Sequence, residues 1–262
     1  MTDSVVVKTE GRVRIIRLNA EERLNAFNNE QYDGVRDALN DAAGDPEIGV
    51  VVFTGTGRAF TAGQDLSDGG FAGDDGPKSD KPTGFGPFIE VVEGFPKPLI
   101  CAVNGLGVGI GLTVLPHCDL VFMAADARLK APFVSLGVTV EAGNSYLLPQ
   151  TVGWADAAHI LYTTDWIPAE ECQKIGLVWK VVPSEKLMDE TMAMATKISA
   201  QPVTSLITTK KLLLAGRIEG SIAARKRENP AFANLVGAPA NREAIKAFEE
   251  KREADFSNLP TE

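Results

Sequence analysis

A chain of 262 residues with 44% apolar and 23% charged side chains is long enough to bury a large core, and this composition excludes disordered, collagenous and coiled-coil proteins. Its net charge of −9 at pH 7 opposes binding to nucleic acid or to an anionic membrane, so we expect a small-molecule ligand. Three cysteines without a C-x-x-C pair, and the lack of any run of about 18 apolar residues, favour a cytoplasmic protein.

The first half of the chain carries the strongest strand patterns. Alternating apolar residues at the N-terminus predict a β-hairpin that turns at Glu10-Gly11. Apolar residues then recur every three or four positions after an asparagine pair at 28–29, which predicts an amphipathic helix capped by one of the two. The apolar runs at 49–55 and 99–103 are bounded by glycine, proline or asparagine, and they predict buried parallel strands.

Further strands are predicted at 119–124 and 177–182, and most of the second half is predicted to be helical. The predicted helices lie near 153–163, 168–175, 185–199, 203–216, 219–235 and 240–254. Strands that come early and helices that accumulate late indicate an α/β fold.

Glycine, proline and aspartate make up more than half of segment 67–87, which predicts a long loop without a packed element. Two interpretations stay open for it. One is a flap that orders over a ligand with Phe71, Phe85 and Phe88 as contacts, and the other is a mobile surface insertion.

Several familiar site motifs are absent. The alternating glycines at 105–111 do not reproduce G-x-G-x-x-G, because Ile110 occupies a glycine position. No P-loop or G-x-S-x-G motif occurs, and neither His117 nor His159 has a metal-binding context. His117 beside Cys118 is interpreted as structural. We therefore expect no metal and no redox cofactor.

Two glycine-rich segments, 55–66 and 104–111, each follow a predicted buried strand and are predicted to lead into a helix. At such a turn several backbone N–H groups lack an intrahelical partner and are free to bind an anion. Two turns of this kind can share one oxyanion. The alternative for each is a tight turn that simply needs glycine.

Six short segments are similar to the motifs of one known family in amino-acid sequence and in their order along the chain. They are Leu-Asn-Ala at 24–26, Arg-Ala-Phe-Thr-Ala-Gly-Gln-Asp-Leu at 58–66, Pro-Lys-Pro-Leu-Ile-Cys-Ala-Val-Asn-Gly at 96–105, Cys-Asp at 118–119, Gly-Leu-Val at 176–178 and Ala-Phe-Glu-Glu-Lys-Arg at 247–252. Together they resemble the crotonase superfamily of enoyl-CoA hydratases and isomerases. The resemblance implies an α/β crotonase-type spiral of ββα units over 1–198, followed by a C-terminal helical trimerisation region over 199–262 in a homotrimer or homohexamer.

The resemblance also implies an acyl-CoA thioester as substrate, with coenzyme A as part of that substrate and no separate cofactor. Its carbonyl oxygen would lie between the backbone N–H groups of Gln64 and Ile110. The implied CoA contacts are Arg23, Leu24, Ala26, Ala62, Asp65 and Leu66, together with Phe248 and Lys251 from a neighbouring subunit. For Lys251 a plain solvated charge stays the alternative.

The reaction depends on which side chain moves protons. Thr113 and Phe133 occupy the positions where the resemblance implies the two glutamates of the hydratases, so two-glutamate hydration is disfavoured. Glu141 has apolar neighbours between 138 and 142, which should desolvate its carboxyl and raise its pKa towards neutrality. Its position resembles that of the single carboxylate of the Δ3,Δ2-enoyl-CoA isomerases and the ring-opening epoxyphenylacetyl-CoA isomerases. A surface or capping glutamate is the alternative.

These observations predict an enoyl-CoA isomerase that shifts a double bond from 3-enoyl-CoA to 2-enoyl-CoA. Glu141 would be the only proton carrier, and the N–H groups of Gln64 and Ile110 would hold the oxyanion. The alternatives are a ring or epoxide isomerase acting on arylacetyl-CoA, then an enoyl-CoA hydratase, then a non-catalytic CoA-binding subunit.

Overall fold

The computed structural model describes residues 4–66 and 83–260, and these form ten strands and ten α-helices. The strands are β1 (Val5–Glu10), β2 (Val13–Leu18), β3 (Val50–Gly55), β4 (Ala59–Thr61), β5 (Leu99–Val103), β6 (Leu106–Val108), β7 (Leu120–Ala124), β8 (Arg128–Lys130), β9 (Ile167–Pro168) and β10 (Lys180–Val182). The helices are α1 (Asn29–Gly44), α2 (Phe85–Glu93), α3 (Ile110–Thr113), α4 (Asn144–Val152), α5 (Trp154–Thr163), α6 (Ala169–Lys174), α7 (Leu187–Ser199), α8 (Val203–Ala215), α9 (Ile218–Leu235) and α10 (Pro239–Glu249).

Two sheets organise these elements. The main sheet has six strands in the order β1-β2-β3-β5-β7-β10, in which only the β1–β2 hairpin is antiparallel. The second sheet has four strands in the order β4-β6-β8-β9. Its first three strands are parallel, and β9 runs antiparallel to β8.

From β3 to β8, consecutive strands alternate between the two sheets. β3, β5 and β7 lie in the main sheet, and each continues into a strand of the second sheet, namely β4, β6 and β8. This repeated two-strand step produces the spiral of ββα units that the resemblance implied. The carboxyl ends of β4 and β6 consequently lie side by side.

The apolar patterns of the sequence explain the central elements. Every residue of β3 and of β5 is buried, as expected for parallel strands covered on both faces. The Asn28 side chain accepts a hydrogen bond from the Gln31 backbone N–H at 3.0 Å and caps α1. The predicted hairpin, the α1 helix and the strands at 49–55 and 99–103 are therefore confirmed.

The predicted loop at 67–87 is wrong at its C-terminal end, because α2 begins at Phe85. Phe88 is fully buried in the core of the protein, so it is not an exposed loop contact. Apolar residues at 85, 88, 89 and 92 form one helical face that packs against α1, and this tertiary contact outweighs the local glycines and proline. Residues 67–82, including Phe71 and the proposed flap, lie outside the described residues.

Smaller differences occur later in the chain. The strand predicted at 177–182 covers only Lys180–Val182, and the last helix ends at Glu249 rather than near residue 254. The helix Asn144–Val152 was not predicted, because it contains Pro149 and because its N-terminus is capped from a distant part of the chain. Within residues 4–66 and 83–260, no helix combines the length and the apolar character that crossing a membrane requires.

The C-terminal helices carry large exposed apolar side chains. Leu212 and Leu213 on α8 are 72% and 68% exposed, and Leu235 on α9 is also exposed. These positions belong to the apolar set from which we predict self-association, whose other members are Ile207, Leu214 and Ile222. We expect sedimentation equilibrium at micromolar concentration to give a trimer or a hexamer. A monomer would contradict this prediction and the assignment of Phe248 and Lys251 to a neighbouring subunit.

Candidate active site

The two glycine-rich segments meet at the carboxyl ends of β4 and β6. We call residues 62–64 the Gly63 turn and residues 109–111 the Gly109 turn. Gly63 has a φ of 92°, and a Cβ atom placed on it would lie 3.0 Å from the carbonyl oxygen of Val108. Glycine is therefore required here both for the left-handed backbone and for the close approach of the two turns.

The backbone N–H of Gln64 points away from the segment around Phe27, with which Gln64 forms a parallel bridge. The N–H of Phe27 donates to the Gly63 carbonyl at 2.7 Å, and the Phe27 carbonyl accepts from the Asp65 N–H at 2.8 Å. In such a parallel bridge, the N–H of the residue between the two partners faces the opposite side. Within residues 4–66 and 83–260, the Gln64 N–H donates to no backbone or side-chain acceptor.

The N–H of Ile110 is also available to a ligand. Ile110 is the first residue of α3, so its N–H has no acceptor in the preceding turn of the helix. The N–H groups of Leu112 and Thr113 donate to the Gly109 carbonyl at 2.8 and 3.0 Å, which fixes the start of this helix. No acceptor for the Ile110 N–H occurs in the part of the chain that the structure describes.

The expectation that both segments lead into helices is confirmed for the second segment, and the residues that follow the first one, 67–82, lie outside the described residues. After β3 the described chain forms the strand β4 and then the Gly63 turn, because β4 finds a pairing partner in β6. The Gly109 turn leads directly into α3, a helix of four residues. The two N–H groups themselves, rather than a large helix dipole, would hold a negatively charged oxygen.

Glu141 lies beside the Gly109 turn. The hydroxyl of Thr113, which is fully buried on α3, donates to the Glu141 carboxylate at 3.2 Å. Thr113 follows Ile110 by three residues, one helical turn along α3. The sequence prediction placed Gln64, Ile110 and Glu141 in one site, and the structure brings all three to the region around α3.

Burial raises the pKa of Glu141 to about 7, the hydrogen bond from Thr113 opposes this rise, and the nearby charge of Glu228 adds to it. The flanking residues Val138, Val140 and Ala142 are all buried, as the sequence pattern indicated. A carboxyl group with a pKa near 7 is present in both protonation states at neutral pH. It can therefore accept and return a proton.

Tyr32 joins Gln64 to the surroundings of Glu141, and sequence reasoning treated it only as an apolar position of a helix. Its hydroxyl donates to the Gln64 side-chain carbonyl at 3.1 Å, and its ring stacks on Phe27 with centroids 4.5 Å apart. Burial raises the pKa of Tyr32 well above its usual value, and the charge of Glu141 adds to this effect. Tyr32 is therefore a neutral phenol at physiological pH.

A cavity of about 380 Å³ opens next to Glu141, within the usual size range of small-molecule sites. Its wall is mostly apolar, which suits an acyl chain, and Glu141 and Glu228 supply the charged groups. The lining residues are Phe85, Glu141, Glu228, Asn229, Phe232, Ala233 and Val236.

The residues with an implied role in CoA binding fall into two groups. Six of them lie in or next to the Gly63 turn: Arg23, Leu24, Ala26, Ala62, Asp65 and Leu66. The Ala62 N–H donates to the Leu24 carbonyl at 2.9 Å, and the Arg23 guanidinium donates to Asp65 at 3.4 Å. Phe248 on α10 and Lys251 beyond it are exposed. Their contact with CoA in a neighbouring subunit stays a prediction.

The raised pKa of Glu141 has a consequence for stability. The ordinary pKa of a glutamate is 4.5, and that of Glu141 in the folded protein is about 7. Between these two pH values Glu141 is protonated in the folded protein and ionised in the unfolded chain. The stability that this proton contributes is therefore lost as the pH rises through 7. We expect Glu141→Gln to be more stable than the parent protein at pH 8.5, by about 1–3 kcal/mol or a few degrees in Tm.

Thermal unfolding of both proteins between pH 5 and pH 8.5 measures this effect. The stability gap should close below about pH 4.5, be small at pH 5, widen up to about pH 7 and then level off, because Glu141 differs in protonation between the folded and the unfolded chain only between these two pKa values. A gap that is constant with pH would show that Glu141 does not titrate near neutrality.

Comparisons with known proteins show the family to which the chain is similar. Residues 8–259 match the family model described as enoyl-CoA hydratase/isomerase. The chain is 31% identical over 262 residues to 1,2-epoxyphenylacetyl-CoA isomerase of Escherichia coli, a match that covers 98% of this chain and 99% of that protein. It is 30% identical over 260 residues to crotonyl-CoA hydratase of Syntrophomonas wolfei, with 97% and 98% covered.

The fold is shared with solved structures as well. A crystal structure of an enoyl-CoA hydratase/isomerase from Pseudoalteromonas atlantica T6c superposes with a TM-score of 0.92 at 33% identity, covering 97% of this chain and 100% of that one. The relatives carry the names of both isomerases and hydratases, so the choice between these two reactions has to come from the residues of the site.

Proposed function

The chain belongs to the enoyl-CoA hydratase/isomerase family of the crotonase superfamily, and we propose that it is the isomerase type, which converts 3-enoyl-CoA to 2-enoyl-CoA with one carboxylate. The family acts on CoA thioesters, so the proposal concerns the reaction at the acyl carbons. Glu141 is the proton carrier, and the N–H groups of Gln64 and Ile110 bind the thioester oxygen.

The proposed reaction has two proton transfers. The Glu141 carboxylate removes a proton from C2, and the electron pair of that C–H bond moves towards the thioester carbonyl. The resulting dienolate carries its negative charge on the thioester oxygen, where two preorganised N–H donors stabilise it. The Glu141 carboxylic acid then returns the proton to C4, which leaves the double bond between C2 and C3. Atoms and electrons balance in this reaction without water, a metal or a redox partner.

The observation that carries the proposal is the Glu141 carboxylate beside the Gly109 turn, whose pKa is about 7 and which is the one available carboxylate among the described residues that line the cavity. Glu228 lines the same cavity, but its two carboxylate oxygens each accept a backbone N–H, from Gly143 at 2.6 Å and from Ser145 at 2.7 Å. Glu141 is therefore the carboxylate that is free to exchange a proton with a substrate.

The same observations argue against two-glutamate hydration. Thr113 and Phe133 occupy the positions that the resemblance associates with the water-holding glutamates. Thr113 uses its hydroxyl to hold Glu141, and Phe133 is a buried core residue. Neither side chain can supply a second carboxylate to activate water.

A second candidate is the isomerisation of an epoxide on an arylacetyl-CoA thioester. The supporting observation is the 31% identity to 1,2-epoxyphenylacetyl-CoA isomerase over 98% of this chain. This reaction is also a rearrangement without loss or gain of atoms, and it would use the same carboxylate. The two candidates share the carboxylate and the oxyanion site, and they differ in the acyl group and in the bonds that rearrange.

The test presents the purified protein with 3-enoyl-CoA, 2-enoyl-CoA and epoxyarylacetyl-CoA thioesters and analyses the products by mass spectrometry and chromatography. Conversion of 3-enoyl-CoA to a product of unchanged mass supports the proposed function. Rearrangement of the epoxide alone would favour the second candidate. Addition of one water to 2-enoyl-CoA without any rearrangement would identify a hydratase, and tight CoA binding without turnover would identify a non-catalytic subunit.

A further inference from the structure

The backbone around Glu141 adopts an unusual conformation. We call residues 141–144 the Glu141 turn, which is closed by a hydrogen bond from the Asn144 N–H to the Glu141 carbonyl at 3.0 Å. Ala142 has a φ of 60° and Gly143 a φ of 75°, so two successive residues are left-handed. This conformation is unfavourable for an alanine, and it persists only where surrounding contacts fix it.

Glu228 supplies the strongest of these contacts. It lies on α9 and is buried, and α9 packs against α4. Its carboxylate accepts the N–H groups of Gly143 and Ser145 at 2.6 and 2.7 Å. Hydrogen bonds to an ionised acceptor are stronger than those between neutral groups.

Other side chains hold the carbonyl side of the same turn. The His117 ring lies 2.8 Å from the Ala142 carbonyl oxygen, and because a carbonyl only accepts, the ring donates from Nε2. The Asn144 side chain donates to the Thr113 carbonyl at 2.8 Å and thereby ties the turn to α3. Glu228 is the only one of these groups that brings a charge to the turn.

The charge of Glu228 is not neutralised by a neighbouring cation. Arg225 lies one turn earlier on α9, but its guanidinium pairs with Glu90 and Glu93 of α2, at 3.1 Å in both cases. No ion pair to Glu228 is present in residues 4–66 and 83–260. The carboxylate therefore acts on Glu141 both through the backbone and through space.

We infer that Glu228 is a positioning residue, whose carboxylate fixes the left-handed Glu141 turn and so directs the Glu141 carboxylate into the cavity. The inference rests on the proposed role of Glu141 as the proton carrier. It adds a residue from a different helix, 87 positions further along the chain, to the machinery of the site.

Titratable groups near Glu141 come from three elements. Tyr32 on α1 has a pKa raised well above its usual value by burial, and burial lowers the pKa of His117 to about 4. Neither group changes its charge between pH 5 and pH 9. The charge of Glu228 on α9 raises the pKa of Glu141, so removing that charge should move the titration of Glu141 to lower pH.

The experiment replaces Glu228 with glutamine, which has nearly the same size and no charge. The single oxygen of the glutamine amide can accept only one of the two N–H groups, from Gly143 or from Ser145. The amide NH₂ would then face the other N–H, and two donors cannot form a hydrogen bond. We expect kcat for 3-enoyl-CoA to fall about 10–100-fold from misplacement of Glu141, with KM changed less than about threefold. On the acidic side of the pH profile, kcat falls as Glu141 becomes protonated, and we call this part of the profile the acidic limb. In Glu228→Gln the acidic limb should move to lower pH, which loss of a merely structural residue would not cause.

Glu93→Gln is the matched control. Glu93 is a buried carboxylate in the adjoining α2–α9 contact, where it accepts a hydrogen bond from Ser221 and pairs with Arg225, but it makes no hydrogen bond to the Glu141 turn. We expect this variant to lose stability while its acidic limb stays in place and kcat per folded molecule changes less than about threefold. An equal shift of the limb in both variants would contradict a specific role for Glu228.

A readout that is independent of activity separates this inference from the proposed function. The stability gain of Glu141→Gln at pH 8.5 is measured again in the Glu228→Gln background, where it should be smaller because the buried charge at residue 141 is less unfavourable. If the parent protein isomerises 3-enoyl-CoA while kcat, the acidic limb and this gain are all unaffected by Glu228→Gln, the inference is wrong and the proposed function stands. If the parent isomerises nothing, the proposed function fails.

Glu228→Asp covers the case in which the glutamine variant does not fold. Aspartate keeps the charge but is one methylene shorter, so it cannot reach both N–H groups from α9. We expect kcat to fall about tenfold, with a smaller shift of the acidic limb than the glutamine variant would give. Full kcat in a folded Glu228→Asp protein would overturn the requirement for the bidentate contact.

Discussion

We expect Glu141→Gln to lower kcat for the proposed isomerisation of 3-enoyl-CoA by about 10²–10⁴-fold, the range typical for removal of a positioned general base. Glutamine has nearly the same shape as glutamate, and its carbonyl oxygen can still accept the hydrogen bond from Thr113. It cannot take up the C2 proton. We expect acyl-CoA affinity to persist, because the predicted CoA contacts, around the Gly63 turn and at Phe248 and Lys251, do not include Glu141.

The measurement combines turnover with proton exchange. In heavy water, the parent protein should exchange the C2 proton of a bound acyl-CoA for deuterium, and Glu141→Gln should lose this exchange together with isomerisation. Loss of both activities in one folded variant ties a single carboxylate to both steps. Rapid isomerisation by a well-folded Glu141→Gln protein would contradict the one-base mechanism.

Thr113→Val is the matched control for this result. Valine keeps the shape of threonine and removes only the hydroxyl that donates to Glu141. Because that hydrogen bond opposes the rise in the pKa of Glu141, its loss should move the acidic limb of the pH profile to higher pH. We expect a loss of kcat that is much smaller than in Glu141→Gln, since the proton carrier is still present.

The central architecture and Glu141 could be predicted because their signals are local. The strands at 49–55 and 99–103 are continuous apolar runs with polar or glycine boundaries, and such runs need no knowledge of the rest of the fold. Glu141 stood out because the residues on both sides of it are apolar, and their burial is what raises its pKa. In each case the signal lies in residues adjacent in sequence, although the contacts that bury them come from distant parts of the chain.

The second sheet could not be predicted in this way. β4, β6 and β8 have three residues each, which is too short for an alternating pattern to be recognised. They become strands because the spiral places them beside one another. The strand β4 within the first glycine-rich segment was missed for the same reason, since the sequence does not reveal that β4 pairs with β6.

The groups that support Glu141 were missed for a related reason. Glu228 lies in a segment rich in charged residues, which has the composition of a solvated helix face. Its burial and its hydrogen bonds exist only once α9 packs against α4. The one available signal was the pair of small residues at 142–143, which indicates a backbone that needs external support. That signal does not identify the partner.

The oxyanion site can be tested by removing one of its N–H donors. Ile110→Pro deletes the N–H of Ile110, and proline is well accommodated at the first position of a helix because that N–H has no intrahelical acceptor. The preceding residue is Gly109, and its lack of a Cβ atom limits the clash that proline imposes on its neighbour. We expect kcat to fall about 10²–10³-fold, as for loss of one oxyanion donor.

Ile110→Ala separates this effect from loss of packing. Ile110 is buried, so both variants lose apolar contacts, and truncation to alanine should cost about 2–5 kcal/mol of stability. Only the proline variant loses the N–H donor. Steady-state kinetics on the folded fraction should therefore give the alanine variant a kcat within about tenfold of the parent and the proline variant a much lower one. Equal kcat values for the two variants would show that the Ile110 N–H does not stabilise the transition state, and the negative charge would then have to be held elsewhere.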